Sequence, residues 1–320
     1  MRSASPVPRV HLSTSELEMS RLVLGGNVFG WTTDEDTSYD VLDAYVAAGG
    51  DAIDLADSYP HWAPGCSGGE SEEIVGRWMA ARGNRDDVVI CTKVGKFPGN
   101  QGLTRAQIMA GIDGSLRRLQ TDYVDLYYCH ADDASTPLEE TLEALGELIA
   151  AGKVRAIAAS NYTADRLDEA LRIADGIGLP RFCAMQPHYS LVVRDEFEGA
   201  LEDVCEREGI ACLPYWPLAA GFLTGKYADP GVTSARSATV EQFRTPGNEA
   251  ILDVVRIVAN RHGVAPATVA LAWLLTRPTV AAPIASASRV EQLPTLMAST
   301  TLTLTPEDLA DLDAVSARRP

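Results

Sequence analysis

The chain has 320 residues and a mass of 34.3 kDa, more than one small domain needs but a usual length for a single α/β barrel. Hydrophobic residues make up 46% of the chain and charged residues 22%, so it can bury a large core and is not a disordered protein. With 44 acidic against 27 basic residues the formal net charge is −17, which disfavours nucleic acid and anionic membranes as partners.

Short apolar runs of the β type alternate with helical patterns along almost the whole chain. Strands are predicted at residues 22–24, 52–55, 88–92, 123–128, 154–159, 182–185, 210–213 and 280–284. Helices are predicted at residues 35–48, 70–79, 104–119, 138–151, 164–174, 195–207, 249–261 and 266–275. Apolar strands separated by amphipathic helices are typical of a parallel sheet that helices cover. About eight such units favour a closed (β/α)8 barrel over an open doubly wound sheet.

No linker rich in Ser, Gly or Pro divides the chain, so we predict one domain over residues 1–320, with residues 1–8 as a flexible tail. A β-hairpin is expected before the barrel and additional helices at the C-terminal end. Residues 226–248 break the pattern because they are polar and show no periodicity. A loop this long in a compact domain usually has a function, and we predict that it forms a mobile lid after the seventh strand.

The six cysteines are scattered and include no CxxC pair. This spacing indicates reduced thiols in a cytoplasmic protein rather than a disulfide framework or a metal site. The first ten residues lack the apolar core of a secretory signal, and no segment reads as a membrane-spanning helix. The sequence leaves open whether the protein is a monomer or a homo-oligomer.

Other classes of enzyme are poorly supported. Residues 65–69 match the G-x-S-x-G motif of serine hydrolases, but that motif requires a strand directly before the serine, and a loop precedes it here. No G-x-G-x-x-G follows a strand and no G-x-x-x-x-G-K-[ST] is present, so a Rossmann fingerprint and a P-loop are both absent from the sequence.

Four polar residues fall at the carboxyl ends of three consecutive predicted strands. Asp54 ends the second strand, and Tyr59 lies in the loop after it. Lys93 directly follows the third strand and His130 the fourth. Because barrel enzymes carry their chemistry on this face, we expect the four side chains, here called the tetrad, to converge there.

The chemistry of the tetrad is coherent. A tyrosine hydroxyl has an ordinary pKa of about 10, and a nearby lysine ammonium is expected to lower it. Asp54 would keep Lys93 charged and oriented, and His130 could donate a hydrogen bond to a carbonyl oxygen. The tetrad is therefore suited to protonating an oxygen while a hydride arrives from elsewhere.

Several segments match the signature sequences of one protein family, in the same order. They are residues 54–59, 92–93, 127–130, 152–161, 185–190, 215–226 and 283–293. Together they resemble the aldo-keto reductase superfamily, from about residue 9 to the end of the chain. The branch they resemble contains bacterial sugar-type reductases and potassium-channel β subunits. The resemblance implies a (β/α)8 barrel that reduces a small aldehyde or ketone with NADPH, NADH being possible.

The resemblance also implies a role for individual residues. Tyr59 would donate the proton, and Asp54, Lys93 and His130 would complete the catalytic set. The implied cofactor-binding residues are Gly26, Asn27, Asp54, Ser160, Asn161, Gln186, Tyr215, Trp216, Pro217, Leu218, Ala220, Lys226, Arg236, Ser286, Ser288, Arg289 and Gln292. Among them, residues 160, 161 and 186 would hold the nicotinamide carboxamide and residue 215 would stack on its ring. Arg289 would meet the 2′-phosphate of NADPH, and Arg236 could close over it.

The chain departs from the family pattern at three places. Ser286 replaces a usual glycine, and Trp216 replaces the serine after the stacking tyrosine. Thr295 and Leu296 stand where an acidic residue and an asparagine usually meet the adenine, so no adenine contact is predicted there. The alternative to an enzyme is a regulatory subunit that holds the nucleotide with little turnover, and the complete tetrad favours the enzyme.

Overall fold

The computed structural model describes residues 7–12, 15–228 and 234–317. Most of the tail predicted at residues 1–8, and residues 229–233 of the predicted lid, lie outside the described residues. A predicted hairpin is confirmed near the N-terminus, where β1 (Arg9–His11) pairs with β2 (Glu18–Ser20) in antiparallel fashion. A second hairpin, formed by β6 (Lys96–Phe97) and β7 (Asn100–Gln101), lies beyond the end of the third strand of the main sheet.

Eight parallel strands form the main sheet. They are β3 (Val23–Gly25), β4 (Ala52–Asp54), β5 (Val89–Val94), β8 (Val124–Cys129), β9 (Val154–Ser160), β10 (Ala184–Gln186), β11 (Ala211–Cys212) and β12 (Ile284–Ala285). The strand order is β11-β10-β9-β8-β5-β4-β3-β12. The two ends of this order are joined, because Cys212 forms a parallel bridge with Val280 and the N–H of Ile284 donates to the carbonyl of Pro214 at 3.0 Å. The curled parallel sheet is consistent with the predicted (β/α)8 barrel.

Helices alternate with the strands, as the sequence predicts. They are α1 (Glu35–Ala47), α2 (Glu70–Arg82), α3 (Arg105–Leu119), α4 (Leu138–Ala150), α5 (Ala164–Ile177), α6 (Ala200–Glu208), α7 (Ser237–Glu241), α8 (Pro246–His262), α9 (Pro266–Leu275), α10 (Leu293–Met297) and α11 (Pro306–Ser316). None of the helices in the described part of the chain combines the length and the apolarity that crossing a membrane requires.

The apolar core has two parts because alternate residues of a strand point to opposite faces of the sheet. One face packs against the helices in the larger cluster. The other face forms a separate cluster inside the curled sheet, where Leu12, Leu17 and Met19 from the N-terminal hairpin region also pack. The strands contribute mostly small side chains to this inner cluster, namely Ala52, Cys91, Ala156, Ala158, Ala184 and Ala211. Small side chains fit the narrow interior of the curled sheet.

Several predicted boundaries differ in the structure, and the eighth strand, predicted at 280–284, lies at Ile284–Ala285. Helix α8 begins at Pro246, because the Thr245 side chain accepts a hydrogen bond from the N–H of Asn248 and proline is favourable in the first turn. Residues 226–248 were predicted to lack regular structure. This prediction is wrong for residues 246–248, which belong to α8, and for the residues of α7. Helix α6 begins five residues later than predicted, after Gly199, whose φ of 96° ends the preceding turn. Strand β5 extends through Lys93.

Candidate active site

A layer of polar side chains lies one step above the inner apolar cluster. Asp54 lies two residues after Ala52 in β4, and Lys93 lies two residues after Cys91 in β5. The same step leads from Ala158 to Ser160 in β9, and from Ala184 to Gln186 in β10. Because side chains alternate along a strand, each polar residue faces the same interior as the small residue before it. The strand register therefore brings the polar residues together at the carboxyl ends of the strands.

Lys93 is the centre of the polar layer. Its side chain is 0% exposed, and Nζ donates to Asp54 Oδ2 at 2.7 Å, to the carbonyl of Leu55 at 2.6 Å and to the Tyr59 hydroxyl oxygen at 3.2 Å. Gln186 Nε2 donates to the second carboxylate oxygen of Asp54 at 2.9 Å. The buried ammonium thus has three acceptors, and the buried carboxylate has a donor on each oxygen.

The pKa of Tyr59 is set by two opposing influences. Burial raises the pKa of the Tyr59 hydroxyl above its ordinary value, and the charge of Lys93 opposes this rise without cancelling it. The lowering by Lys93 is as predicted, but the sequence does not show the desolvation of the phenol that outweighs it. Burial by itself lowers the pKa of Lys93, but Asp54 and Tyr59 together raise it above its ordinary value. Tyr59 therefore keeps its proton, and Lys93 keeps its charge, near neutral pH.

His130 lies at the same end of the site. Its ring centroid is 5.8 Å from that of Tyr59 at an interplanar angle of 78°. Burial, followed by the charges of Lys93 and Lys96, holds the pKa of His130 well below its usual value. The imidazole is therefore neutral and carries one N–H donor near neutral pH. Its Nδ1 is buried and has no hydrogen-bond partner among the described residues.

Asn161, Ser160 and Tyr215 form a connected group next to the tetrad. Asn161 has a φ of 55°, in the left-handed region, and its Nδ2 donates to the carbonyl of His130 at 2.8 Å and to Ser160 Oγ at 3.0 Å. Tyr215 donates its hydroxyl hydrogen to Asn161 Oδ1 at 3.0 Å. Asparagine tolerates left-handed backbone better than most residues, which suits it to this sharp turn at the end of β9.

One cavity of about 1590 Å³ opens above the polar layer, and Tyr59 and His130 line it. Ligand pockets usually measure about 300–1,000 Å³, so this cavity has room for a dinucleotide together with a small substrate. The predicted cofactor-binding residues line it with one exception, Gly26. Gly26 instead donates its N–H to the carbonyl of Asp54 at 2.8 Å and accepts from Ser71 Oγ at 2.7 Å. Its neighbour Gly25 lines the cavity in its place.

Asn27 and Ser286 follow the neighbouring strands β3 and β12 and meet at the wall of the cavity. Ser286 Oγ donates to Asn27 Oδ1 at 2.7 Å, and Arg236 Nη2 donates to the same oxygen at 3.1 Å. A Cβ atom on Gly25 would come within 2.6 Å of Ser286 Oγ, so β3 needs a glycine at this close approach. Ser288 and Gln292 are joined by a 2.8 Å hydrogen bond from the N–H of Ser288 to Gln292 Oε1.

Among the side chains that line the cavity but were not predicted from the sequence are Trp31, Trp62 and Lys96. Trp62 stands edge-on to Tyr59, with ring centroids 5.5 Å apart, and edge-on to Trp31, at 5.8 Å. The three residues lie in or near loops after the first three strands of the sheet. Their position at strand ends was the signal available, because that is where a barrel carries its binding residues.

A second buried carboxyl, Asp57, was also missed as a titratable group. It is 1% exposed, and neither carboxyl oxygen has a hydrogen-bond partner in the described structure. Burial raises its pKa to about 8, the charge of Glu72 adds to this rise, and that of Arg118 opposes it. Glu72 is itself buried, and it accepts from Arg118 at 2.7 Å and from Thr92 Oγ1 at 2.5 Å. A buried acid without partners is therefore protonated near neutral pH.

The structure gives no support to the hydrolase alternative. Ser67 lies in a loop before α2, and its hydroxyl donates to Glu70 at 3.2 Å. Within residues 7–12, 15–228 and 234–317, no three His, Cys, Asp or Glu side chains are grouped so that they could hold a metal ion. All six cysteines are free thiols.

A model of the Aldo/keto reductase family matches residues 21–317. The chain therefore belongs to the aldo/keto reductase family, as its strand-end residues indicate. It is 36% identical over 330 residues to Protein tas of Escherichia coli (strain K12), with 94% of this chain and 95% of that protein covered. It is 32% identical over 324 residues to a probable voltage-gated potassium channel subunit beta of Oryza sativa subsp. japonica, with 97% of each covered. It is also 32% identical over 323 residues to norsolorinic acid reductase stcV of Emericella nidulans, with 95% and 80% covered.

Proposed function

We propose that the protein reduces an aldehyde or ketone to an alcohol with NADPH, NADH being a possible substitute. The observation that carries the proposal is the hydrogen-bonded chain Asp54–Lys93–Tyr59, which ends at a cavity that His130 also lines. Such a chain serves to hold a phenolic proton in place and to stabilise the anion that remains after its transfer. The similarity to a fungal reductase supports the same reaction class.

The residues of the cavity fit a nicotinamide dinucleotide. Among the cationic side chains that line it without an ion pair to another described residue are Lys226, Arg236 and Arg289. A pyrophosphate and a 2′-phosphate would supply the missing negative charge. Ser160, Asn161 and Gln186 would hold the carboxamide, and Tyr215 would flank the ring. When bound, the nicotinamide supplies the hydride.

The chain's own residues would handle the proton. Tyr59 keeps its hydrogen near neutral pH because burial raises its pKa, so it can donate that hydrogen to the oxygen of a substrate carbonyl. The phenolate that remains is stabilised by Lys93, which Asp54 keeps charged and in position. The neutral His130 would donate its one N–H to the same carbonyl oxygen and so orient the substrate.

A regulatory role is the second candidate, because one relative is described as a potassium channel subunit beta. A protein of this kind would hold the nucleotide and scarcely turn it over. The intact Asp54–Lys93–Tyr59 chain favours the enzyme, since a nucleotide-binding protein has no need of a buried proton donor beside the cavity.

A panel of carbonyl compounds tests the proposal. The purified protein is mixed with NADPH and with sugars, short aldehydes and quinones in turn, and cofactor oxidation is followed by absorbance. We expect saturable oxidation with at least one class, and the best class identifies the substrate type. Binding of NADPH without oxidation by any compound would contradict the proposal and favour the regulatory role.

A further inference from the structure

The cavity reverses the charge balance of the chain. Among the described residues, six Lys and Arg side chains make no ion pair with another described residue: Arg21, Lys96, Arg117, Lys226, Arg236 and Arg289. Four of these six line the cavity, whereas its only acidic lining residues in the described part of the chain are Asp54 and Glu291. In a chain of net charge −17, a cavity lined by unpaired cations indicates an anionic ligand.

Three of the four cations have a role under the proposed function, and one does not. Lys226, Arg236 and Arg289 are assigned to the phosphates of the cofactor. Lys96 lies in β6, three residues beyond Lys93, and lines the cavity together with Tyr59 and His130. It therefore belongs to the end of the cavity where the substrate carbonyl would lie.

The surroundings of Lys96 provide no compensating charge in the described structure. Burial, with the charge of Lys93, lowers the pKa of Lys96, and the charge of Lys96 in turn lowers the pKa of His130. Asp54, the acid that lines this end, is already bonded to Lys93 and Gln186. An anion placed beside Lys96 would relieve the repulsion between the two ammonium groups.

Lysine is rare in this chain, so the position of each lysine is informative. The sequence has four lysines, and one of them, Lys153, forms a surface ion pair with Asp113 at 2.6 Å. Lys93 belongs to the tetrad and Lys226 to the cofactor region. The chain otherwise uses arginine for most of its surface cations, and Lys96 is an exposed lysine that lines the cavity and makes no ion pair with a described residue.

Aromatic side chains line the same cavity as Lys96. Trp62 is 43% exposed although it is a large hydrophobic residue, and it packs edge-on against both Trp31 and Tyr59. An exposed aromatic face in a cavity suits the apolar or planar body of a ligand. The same ligand would need one charged group to reach the ammonium.

The geometry points to a substrate that is an anion: a carbonyl compound whose carboxylate or phosphate group binds Lys96 while its carbonyl lies at Tyr59 and His130. This inference rests on the proposed function, since it assumes that a carbonyl reacts at Tyr59. It assigns Lys96 as the residue that selects charged over neutral substrates.

Matched substrates test the inference. The value of kcat/KM is measured for 4-carboxybenzaldehyde and for its neutral methyl ester, and for glyceraldehyde 3-phosphate and glyceraldehyde. We expect the ratio of anionic to neutral kcat/KM to fall about tenfold in Lys96→Met, mainly through KM, and to be largely kept in Lys96→Arg. Lys153→Met, which removes a lysine outside the cavity, is the control and should leave the ratio unchanged. The pair whose ratio falls further shows whether carboxylate or phosphate is the preferred group.

An equal ratio in the wild type and in Lys96→Met, for both pairs of substrates, would overturn the inference even if all four compounds are reduced. A second measurement does not depend on turnover. Benzoate and neutral benzamide are titrated against the protein saturated with oxidised cofactor, and tryptophan fluorescence is recorded. We expect benzoate to bind about tenfold more weakly to Lys96→Met and benzamide to bind both proteins alike. Unchanged benzoate binding would overturn the inference, whereas absence of turnover with every aldehyde would count against the proposed function alone.

Discussion

The two ends of the cavity are built in different ways. At the strand end, Asp54, Lys93 and Gln186 come from parallel strands, are buried, and hydrogen-bond to one another. At the loop end, Lys226 and Arg289 come from segments that follow the last strands, and neither makes an ion pair with another described residue.

This difference predicts separate roles for the two ends, with the chemistry at the strand end and cofactor binding at the loop end. Charges at the strand end are satisfied within the protein, so their geometry is fixed before any ligand arrives, as electrostatic stabilisation of a transition state requires. Charges at the loop end are left for a ligand to satisfy, so they contribute affinity. Substitutions at the strand end should therefore lower kcat, and those at the loop end should alter cofactor affinity and preference.

The largest effect is expected for Tyr59→Phe. The substitution removes the proton donor and almost no packing, so kcat should fall by about 10²- to 10⁴-fold while the Kd for NADPH stays the same. Tyr39→Phe, on the surface helix α1, is the control and should keep full activity. A Tyr59→Phe enzyme that keeps more than about a tenth of kcat would remove Tyr59 from the proposed role.

Asp57→Asn tests how much the free energy of unfolding falls when a buried carboxyl group at the strand end is ionised. The folded-state pKa of Asp57 is about 8, far above that of an unfolded chain, so the folded protein binds the extra proton between about pH 4 and 8. This stabilisation by protonation is lost as the pH rises through that range. Asparagine resembles the protonated acid and does not titrate. We therefore expect the free energy of unfolding of Asp57→Asn, relative to wild type, to increase by roughly 2–4 kcal/mol from pH 5 to pH 8.

Denaturant unfolding at several pH values measures this difference. Asp122→Asn, at an exposed position, is the control and should show a difference that barely changes with pH. If the difference in free energy of unfolding between Asp57→Asn and wild type also did not change with pH, Asp57 would be ionised in the folded protein.

At the loop end, Arg289→Ala should change which cofactor is preferred. A guanidinium binds the 2′-phosphate of NADPH and nothing equivalent in NADH, so the NADPH/NADH ratio of kcat/KM should fall about tenfold. Arg117→Ala, which removes an exposed arginine of α3 that makes no ion pair with a described residue, should leave the ratio unchanged. Equal kcat/KM for the two cofactors in the wild type, or an unchanged preference in Arg289→Ala, would contradict the assignment.

The smallest effect is expected from protection of the predicted lid. Arg236 contacts Asn27 and lies 5.5 Å from the Trp31 ring, so this part of the loop already reaches across the cavity. Bound NADPH should slow trypsin cleavage at Arg236 and Arg244 by a few-fold, because a ligand that binds the native protein reduces local opening. Mass spectrometry of the fragments measures the rates, and a free peptide substrate controls for inhibition of trypsin. Identical rates with and without saturating NADPH would mean that the loop only connects neighbouring elements and does not act as a lid.

The sequence predicted the strand end better than the loop end, for a physical reason. Consecutive parallel strands are rigid and end at one face, so the order Asp54, Lys93, His130 was enough to predict convergence. The alternation of strands and helices followed from periodicity in the same way. Gly25 rather than Gly26 lines the cavity, and the direction in which a chain leaves a strand cannot be read from its sequence.

Burial and loop contacts were not predictable. The direction of the Tyr59 pKa depends on desolvation by residues far apart in the chain, and sequence spacing shows only that a lysine is near. Lys96, Trp31 and Trp62 belong to loop segments whose paths depend on tertiary packing, so no periodic signal marked them. The first turn of α8 was missed although Thr245-Pro246 is a recognisable helix start.

A single-turnover experiment tests whether this protein transfers a hydride to a carbonyl. The protein is saturated with one equivalent of NADPH and mixed with an excess of a reactive aldehyde, and the absorbance of the reduced nicotinamide is followed through a single turnover. We expect a complete exponential loss in the wild type that is slowed by orders of magnitude in Tyr59→Phe. No loss of absorbance in the wild type over hours, with NADPH shown to be bound, would contradict it.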